Sequence, residues 1–324
     1  YRSNKSIIGK QGDFITAPEI SDLFGYSIAR QCKQILNEGD ILEFGAGSGV
    51  LSSQILFELA RLDCLPNKYF IIELSARLKI IQRDTIKKVL PELIDRVEWL
   101  SELPKDFTGV VIANEVLDAM PAKRVRFSNG KFNELGVGFN KDGFCWRDFD
   151  VPFASDLVRL PHDIEEGYTT EVNLHAMAWI KSLCDSIKEG TILLIDYGMD
   201  RSEYFHSQRN DGTLKCFYKH KAGNDPFCNI GIQDITTSVN FSDIADSAIK
   251  SGFEVSGYCT QAMFLISLGI LNFSTVLANA NEFGGIIHSV PFFVTKLVDL
   301  KFLGSTISEF TFVKILNSSD TLAS

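Results

Sequence analysis

Short apolar runs alternate with longer segments of helical periodicity from Asp40 onward. This alternation is typical of a parallel sheet covered on both faces, because each crossover between parallel strands needs a connection as long as a helix. The pattern therefore predicts an α/β fold. The predicted strands are Asp40–Phe44, Tyr69–Glu73, Val97–Leu100, Val110–Asn114 and Thr191–Tyr197. The first two predicted helices are Val50–Leu62 and Ala76–Leu90, the second of which ends at Pro91.

The pattern changes after Asn114, where three segments have the period of two that is typical of half-buried strands. They are joined by Ser-Asn-Gly and by Asn-Lys-Asp-Gly, and the pairs Asn-Gly and Asp-Gly favour tight hairpin turns. A β-meander is therefore predicted as an insertion between the fourth and fifth strands. Its strands are Lys123–Phe127, Lys131–Phe139 and Gly143–Asp148.

The remaining chain is predicted to alternate insertions with sheet elements. Residues 198–240 form a polar segment that is too long for an ordinary connection, which usually marks a functional loop. Three helical segments are predicted at Glu171–Lys188, Phe241–Ser251 and, as a long apolar stretch, Gln261–Leu303. Two strands are predicted at Phe253–Cys259 and Phe310–Leu316.

Composition and charge exclude several classes of protein. The 324 residues include 45% hydrophobic and 23% charged residues, so the chain can bury a full core. A formal charge of −9 and the lack of a long Lys/Arg run argue against a nucleic-acid partner. The most apolar stretches fall short of the roughly 20 residues that cross a bilayer, so no membrane span is predicted. Because the chain begins at Tyr1 without a methionine, we expect that an encoded start is missing.

No metal site is expected either. The seven cysteines are scattered without a C-x-x-C pair, which predicts reduced thiols rather than a zinc site or a disulfide framework. His206 and His220 lie in the polar segment together with several aspartates. Their spacing is not that of metal ligands, so hydrogen bonding within the loop is the favoured interpretation.

A glycine-rich turn follows the first predicted strand, in the order Glu43-Phe44-Gly45-Ala46-Gly47-Ser48-Gly49. Glycines are needed where the backbone turns sharply and where a ligand comes closer than a Cβ would allow. The dinucleotide pattern G-x-G-x-x-G fails here because its third glycine position is Val50. The pattern E-x-G-x-G-x-G instead resembles motif I of methyltransferases that use S-adenosyl-L-methionine (SAM). By itself, the turn also fits a plain tight turn of another α/β protein.

Glu73 ends the second predicted strand, where an acidic side chain can accept hydrogen bonds from both ribose hydroxyls of a nucleoside. Alternatively, it is a solvated carboxylate at a helix start, because it precedes the candidate N-cap Ser75. The glycine turn and the acid together favour a nucleoside site. At the end of the third strand, Leu100 and Ser101 could hold an adenine beside Trp99, although Trp99 also fits a core position.

The fourth strand ends at Asn114 and is followed by Glu115 and Asp118. In a doubly wound sheet this strand end is expected to face the reacting centre. If Glu115 and Asp118 lie on one helical turn, they share a face and could hold a guanidinium, which stays charged because its pKa exceeds about 12. The alternative is an acidic pair at a helix start that is stabilised by the helix dipole.

Further motifs occur in one order along nearly the whole chain. They are Gly12–Ser21 with Phe24 and Gly25, Glu43–Leu51, Ile72–Ser75 with Gln82, Ala113–Glu115 with Asp118 and Pro121, Ile195–Gly198, Gly212–Leu214, His220, Asp225 with Pro226, Asp234–Thr236, Val239–Phe241, Gln261 with Phe264 and Leu265, and Leu268–Ile270. In these motifs the chain resembles the MidA family of class I SAM-dependent methyltransferases, which includes the mitochondrial complex I assembly arginine methyltransferase. One departure is Ala46, where relatives usually carry proline.

The resemblance implies a Rossmann-like, seven-stranded sheet with helices on both faces, a β-meander insertion and a helical and loop insertion. It implies residues 1–120, 189–260 and 305–324 as the SAM-binding core, residues 121–188 as the meander and helix insertion, and residues 198–240 and 261–304 as substrate- or partner-binding insertions. It also implies that the opening motif lies over the cofactor. The expected cofactor-binding residues are Asp13, Thr16, Pro18, Glu19, Glu43, Gly45, Ala46, Gly47, Gly49, Glu73, Leu74, Leu100, Ser101 and Asn114, and the expected catalytic residues are Glu115 and Asp118.

By the same resemblance, SAM is the cofactor, S-adenosyl-L-homocysteine (SAH) the product, and an arginine of a protein partner the acceptor. In mitochondria that partner would be a respiratory complex I subunit. The expected location is the mitochondrial matrix for a eukaryotic protein and the cytoplasm for a bacterial one.

The apolar stretch Gln261–Leu303 fits either the hydrophobic core or a face that binds a partner or a second copy of the chain. Three alternatives to the arginine methyltransferase are a SAM-binding assembly factor without activity, a small-molecule methyltransferase and, from the fold alone, a nicotinamide dehydrogenase.

Overall fold

The structure, a computed structural model, describes residues 16–36, 38–153, 158–161, 164–219, 221–270 and 310–317. The chain forms two compact units. Unit 1 contains Tyr1–Asn114, Asp185–Ile195 and Glu254–Ser324, and unit 2 contains Glu115–Cys184 and Asp196–Phe253. The predicted core segment 189–260 is therefore divided between the two units.

Unit 1 consists of a sheet and the helices that connect its strands. Its helices, numbered in chain order, are α1 (Ala17–Ile20), α2 (Asp22–Ile35), α3 (Val50–Arg61), α4 (Ala76–Val89) and α8 (Gln261–Ser267), with a 3-10 helix at Pro91–Arg96. Its strands are β1 (Asp40–Phe44), β2 (Tyr69–Ile72), β3 (Val97–Leu100), β4 (Phe107–Asn114), β9 (Ile187–Met199, which continues into unit 2), β14 (Phe253–Thr260) and β15 (Phe310–Asn317).

The strands of unit 1 pair in the order β14-β15-β9-β4-β1-β2-β3. β1 is parallel to both β2 and β4, and the pairs β2–β3 and β4–β9 are also parallel. Ile41 and Leu42 of β1 and Val111 and Ile112 of β4 are fully buried, which explains why these strands are nearly continuous apolar runs. The predicted α/β fold with a central, mostly parallel sheet is confirmed. The described part of this sheet has eight strands rather than the predicted seven, because Val239–Asn240 also pairs with β9.

The helices of unit 1 begin where the sequence provides caps. Ser21 accepts a hydrogen bond from the Leu23 N–H at the start of α2, and Ser75 accepts one from the Leu78 N–H at the start of α4. α4 ends before Pro91, because proline has no N–H to continue the helical hydrogen bonds. These boundaries place the turn between β1 and α3, and the turn between β2 and α4, at the carboxyl ends of adjacent parallel strands.

The described residues of unit 2 form two small antiparallel sheets and three helices. Its elements are β5 (Lys123–Ser128), β6 (Lys131–Asn140), β7 (Gly143–Pro152), β8 (Thr169–Val172), α5 (Leu174–Ser186), α6 (Arg201–Tyr204), β10 (Lys215–Tyr218), β11 (Lys221–Gly223), β12 (Asp234–Thr236), β13 (Val239–Asn240) and α7 (Phe241–Lys250). The predicted meander is present, and β8 extends it to a sheet of order β7-β6-β5-β8. β13 pairs in parallel with the end of β9.

Two sequence predictions are wrong in unit 2. The helix predicted from Glu171 begins only at Leu174, because Thr169–Val172 is a strand in which Glu171 lies opposite Arg124 of β5. The favourable contact between these two buried side chains is not visible in local periodicity. The polar segment 198–240 is also more than a loop, because it forms α6, β13 and the three-stranded sheet β11-β10-β12.

In unit 1, the predicted helical stretch Gln261–Leu303 contains the short helix α8, and residues 271–303 of it lie outside the described residues. Among the helices that the structure describes, none combines the length and apolar character needed to cross a membrane.

Candidate functional site

The glycine turn between β1 and α3 has a backbone that few other residues could adopt. Gly45, Gly47 and Gly49 all have positive φ, at 62°, 54° and 84°. Gly45 is exposed, Gly47 is half-buried, and the neighbouring Ala46 is 6% exposed. The turn therefore offers open backbone at its beginning, as a ligand that lies close to the main chain requires.

Gly49 also permits a close approach between the turn and α4. A Cβ on Gly49 would lie 2.8 Å from the Cα of Gln82 and 3.1 Å from its carbonyl oxygen. Because both contacts are with backbone atoms, a side chain at this position could not be accommodated by a rotamer change. The turn and α4 are thus packed directly against each other.

The Glu73 side chain lies between α4 and the end of β2. Its Oε1 accepts a hydrogen bond from the Ser75 N–H at 2.8 Å, and its Oε2 accepts one from the Gln82 side-chain amide at 3.0 Å. Ser75 is the N-cap of α4, as the alternative interpretation of Glu73 expected. The two interpretations are compatible, because each carboxylate oxygen has two lone pairs and the half-buried Glu73 keeps acceptor capacity for a ligand.

Trp99, in β3, is joined to the same group of residues. Its indole Nε1–H donates to Gln82 Oε1 at 2.9 Å, and the guanidinium of Arg83 lies 4.9 Å from its ring centroid. The half-buried ring also packs against the hydrophobic core of unit 1, so the core interpretation of Trp99 is supported. Leu100 follows as a half-buried residue and Ser101 as an exposed one.

Glu43 differs from the other predicted cofactor residues because it is only 1% exposed. Its Oε2 accepts hydrogen bonds from Ser52 Oγ at 2.5 Å and from Tyr69 Oη at 2.7 Å. Burial raises the pKa of this carboxyl to about 7. In this geometry Glu43 joins β1, β2 and α3, and its contact with a cofactor stays a prediction.

The opening motif lies against the glycine turn. Glu19 of α1 accepts a hydrogen bond from Ser48 Oγ at 2.5 Å, and the buried Pro18 accepts one from the Gln54 amide of α3 at 2.9 Å. Thr16 precedes α1 and is half-buried, whereas Asp13 lies outside the described residues. Glu19 thus contacts the glycine turn through Ser48, and the position of this motif over the cofactor stays a prediction.

The acidic segment after β4 is not helical. Residues 115–120 form a turn in which the Met120 N–H donates to the Leu117 carbonyl at 3.1 Å, and Glu115 has a left-handed φ of 52°. The prediction that Glu115 and Asp118 share a helical face is therefore wrong, and so is the alternative that they begin a helix. We call Glu115–Met120 the acidic turn.

Asp196 of β9 holds the acidic turn in place. Its Oδ2 accepts hydrogen bonds from three consecutive backbone N–H groups, those of Val116 at 3.1 Å, Leu117 at 2.8 Å and Asp118 at 3.3 Å. Asp196 is 1% exposed, and burial raises its pKa above the usual range of an aspartate. The turn is therefore fixed by a side chain that lies far away in the sequence.

Asp118 is a second buried carboxyl of this cluster. Burial, followed by the nearby carboxylates of Asp196 and Asp234, raises its pKa well above the usual range. It is 8% exposed, and its backbone carbonyl accepts a hydrogen bond from the Thr237 N–H at 3.1 Å. Glu115 places a further negative charge near Asp196. A cation placed here would relieve this repulsion.

The comparison with known proteins decides the family. A family model described as an S-adenosyl-L-methionine-dependent methyltransferase matches residues 23–259, which include the glycine turn, Glu73 and the acidic turn. The chain belongs to the MidA family of SAM-dependent methyltransferases. The nicotinamide dehydrogenase alternative is thereby excluded.

Curated relatives of this MidA-family methyltransferase cover most of its length. The protein arginine methyltransferase NDUFAF7 homolog of Caenorhabditis elegans mitochondria is 27% identical over 83% of this chain and 68% of its own. The mitochondrial NDUFAF7 of Danio rerio is 25% identical over 87% of this chain and 72% of its own.

A solved structure supports both fold and cofactor. A member of the same superfamily from Burkholderia thailandensis, bound to S-adenosyl-homocysteine, is 36% identical, with a TM-score of 0.85 over 96% of this chain and 81% of the other. SAM is accordingly the cofactor of this enzyme. The residues described above fit SAM. The glycines with positive φ leave the turn open to a nucleoside, and the nearby Glu73 carboxylate is held in one orientation by Ser75 and Gln82.

The structure adds residues that sequence reasoning did not assign to the site. Gln82, Asp234 and Asn173 contact or surround predicted site residues, and the first two lie in motifs that resemble the MidA family. Asn173 carried no sequence signal, since its role depends on the folded turn. Among the residues that the structure describes, no group of three or more His, Cys, Asp or Glu could hold a metal ion. His220 lies outside the described residues.

Proposed function

We propose that this MidA-family enzyme transfers the methyl group of SAM to an arginine side chain of a protein partner. The observation that carries the proposal is the group of carboxylates around the acidic turn, where Asp118 is crowded by Asp196 and Asp234. The names of the curated relatives, which are protein arginine methyltransferases, support the same acceptor.

The chemistry of the acceptor explains why carboxylates are needed. A guanidinium keeps its charge at any pH at which proteins are stable and presents N–H donors in a planar fork that matches carboxylate oxygens. Bound SAM supplies the methyl group on a positively charged sulfur. In the proposed mechanism Glu115 and Asp118 bind and orient the guanidinium, while Asp196 fixes the backbone that carries them. An ionised carboxylate of this pair accepts the proton that the acceptor nitrogen loses as the methyl group passes from sulfur to nitrogen, with SAH as the leaving group.

Acceptor binding should be linked to protonation. Because burial and the neighbouring carboxylates raise the pKa of Asp118, this carboxyl holds a proton more readily than an ordinary aspartate does. A guanidinium favours the ionised form, so its binding is expected to release a proton and to weaken as the pH falls.

The cofactor site is proposed to comprise Gly45, Gly47 and Gly49 of the turn, with Glu73 binding the ribose hydroxyls. Leu74, Leu100 and Ser101 are proposed to border the adenine, with Ala46 and Asn114 lining the cavity and Thr16, Pro18 and Glu19 covering it. Leu74 is 65% exposed, so its side chain is accessible to a ligand.

We further propose that the acceptor in mitochondria is a respiratory complex I subunit and that the location is the mitochondrial matrix. The curated relatives are named as mitochondrial proteins, which supports the location. For a bacterial protein the proposed location is the cytoplasm, and a homodimer is one proposed state.

The acceptor can be tested with tritium-labelled SAM. The full chain is incubated with lysate from cells that lack the gene, and the labelled protein is hydrolysed to identify the modified amino acid. We expect methylarginine with the wild type and at least a tenfold loss of label with Glu115→Gln or Asp118→Asn. The matched control is Asp142→Asn, which removes the same charge from an exposed hairpin turn and should label normally.

The remaining outcomes separate the alternatives. Label in another amino acid contradicts the arginine proposal, and label confined to small molecules favours a small-molecule methyltransferase. Tight SAM binding without any labelled product favours an assembly factor. Equal labelling by the wild type and Glu115→Gln removes Glu115 from the mechanism.

A further inference from the structure

Gln82 of α4 is completely buried, and its side-chain amide joins three separate parts of the nucleoside site. Its Nε2 donates to the Gly47 carbonyl of the glycine turn at 3.1 Å and to Glu73 Oε2 at 3.0 Å. Its Oε1 accepts from Trp99 Nε1 at 2.9 Å. One side-chain amide thus connects the glycine turn after β1, Glu73 after β2 and Trp99 of β3.

The orientation of this amide is fixed by its neighbours. The Trp99 indole can only donate, and the Gly47 carbonyl and an ionised Glu73 can only accept. Turning the amide over would place donor against donor on one side and acceptor against acceptor on the other. The network therefore has one arrangement, and α4 cannot rotate without breaking it.

We propose that Gln82 is a positioning residue, which aims the Glu73 carboxylate at the cofactor ribose and holds it in register with the glycine turn. One Glu73 oxygen is held by the Ser75 N–H and the other by Gln82, so the carboxylate plane is set from two sides. The close approach of Gly49 to the Gln82 backbone fixes the distance between the turn and α4. The ribose-binding groups are thus arranged before the cofactor arrives.

A purely structural role would stabilise the fold without affecting ribose recognition, so the test must separate the two. The probes are SAH and its 2′,3′-dideoxy analogue, with affinities measured by calorimetry on the full chain. Because hydrogen bonds to a charged group favour a ligand by about 10- to 100-fold, we expect the wild type to prefer SAH by that ratio. Gln82→Leu, which keeps the buried volume, should reduce the ratio below about threefold and weaken SAH binding at least tenfold.

Two further variants make the test specific. Ile86→Val, at another fully buried position of α4, removes one methyl group from the core and should keep the preference for SAH. Glu73→Ala should lose the preference, and adding Gln82→Leu to it should then change the ratio by less than about twofold, because Gln82 acts through Glu73.

If Gln82→Leu does not fold, Gln82→Met carries the test. Its thioether sulfur is a weak acceptor for Trp99 and cannot donate to Gly47 or Glu73, so the preference should still fall. An unchanged ratio in a folded Gln82 variant, or no preference in the wild type, would overturn the inference. The inference rests on the proposed contact between Glu73 and the cofactor ribose and not on the acceptor, so neither result bears on the arginine proposal.

Discussion

At Gly49 two separate physical requirements meet in one residue. Its φ of 84° disfavours any side chain, and a Cβ would also come within 2.8 Å of backbone in α4. Gly130 in the meander turn has a similar φ of 76°, but nothing lies within 4 Å of its Cβ position. The two glycines therefore separate the cost of the dihedral angle from the cost of the contact.

We predict that Gly49→Ala lowers the free energy of unfolding by about 2–4 kcal/mol and weakens SAH binding at least tenfold. Gly130→Ala should cost only about 1 kcal/mol and leave SAH binding unchanged. Urea unfolding and calorimetry measure the two quantities. Equal behaviour of both variants would show that the approach to Gln82 is unimportant.

Glu43 illustrates a buried carboxyl that favours its protonated form. Since its pKa is about 7 in the folded protein and about 4.3 in an unfolded chain, the folded state binds the proton more tightly. Its stabilising contribution is therefore complete below about pH 4.3 and is lost as the pH rises through about 7.

Glu43→Gln should remove this pH dependence while keeping an acceptor for Ser52 and Tyr69. We predict that, relative to the wild type, the variant gains up to about 3 kcal/mol of stability between pH 4.3 and pH 8. Urea unfolding of both proteins across this range measures the difference, in which the contributions of other buried carboxyls cancel. Parallel pH profiles would contradict the raised pKa.

At the scale of elements, the acidic turn has no hydrogen-bonded helix of its own and depends on its neighbours. Besides Asp196, Asn173 supports it by donating from Nδ2 to the carbonyls of Leu117 at 3.2 Å and Met120 at 3.3 Å. The Oδ1 of Asn173 simultaneously accepts from the Ala176 N–H in the first turn of α5. One side chain thus supports both a helix start and the acidic turn.

Asn173→Asp and Asn173→Ala separate these two tasks. The aspartate keeps the acceptor at the start of α5 but loses the donors to the turn, so we predict at least a tenfold loss of methyl transfer with a change in Tm of only a few degrees. The alanine loses both and should cost a further ~1 kcal/mol of stability. Normal transfer by Asn173→Asp would show that the turn does not need this support.

At the scale of the whole molecule, the chain places its predicted chemistry in two compact units. The glycine turn, Glu73 and Gln82 belong to unit 1, and the acidic turn with Asp196 belongs to unit 2. Cofactor binding and acceptor binding can therefore be perturbed by separate sets of substitutions.

Cofactor binding should stabilise the folded chain by mass action. At a ligand concentration of 100 times its Kd, SAH is predicted to add about 2.7 kcal/mol and to raise the Tm by several degrees, whereas NAD at the same concentration should not. Thermal scanning of the wild type measures both. A shift with NAD and none with SAH would contradict the cofactor, and Glu115→Gln should retain the full SAH shift.

The sequence by itself determined the elements whose signals are local. β1 and β3 have the predicted bounds, because a buried strand between turn residues is recognisable within a few positions. The glycine turn and Glu73 were also predictable, since a required φ or the end of a strand is encoded by neighbouring residues. The family motifs together predicted the cofactor and the acceptor, which no single pattern could do.

Only the tertiary structure decided what depends on partners distant in the chain. Glu171 lies in a strand because it pairs with Arg124, and Glu115 and Asp118 lie in a turn because Asp196 holds the backbone between them. Gln82 looks like an ordinary helical residue until β3 brings Trp99 to it. In each case a buried hydrogen bond or ion pair outweighs a local preference of a few tenths of a kcal/mol, and no local pattern records which distant residue supplies it.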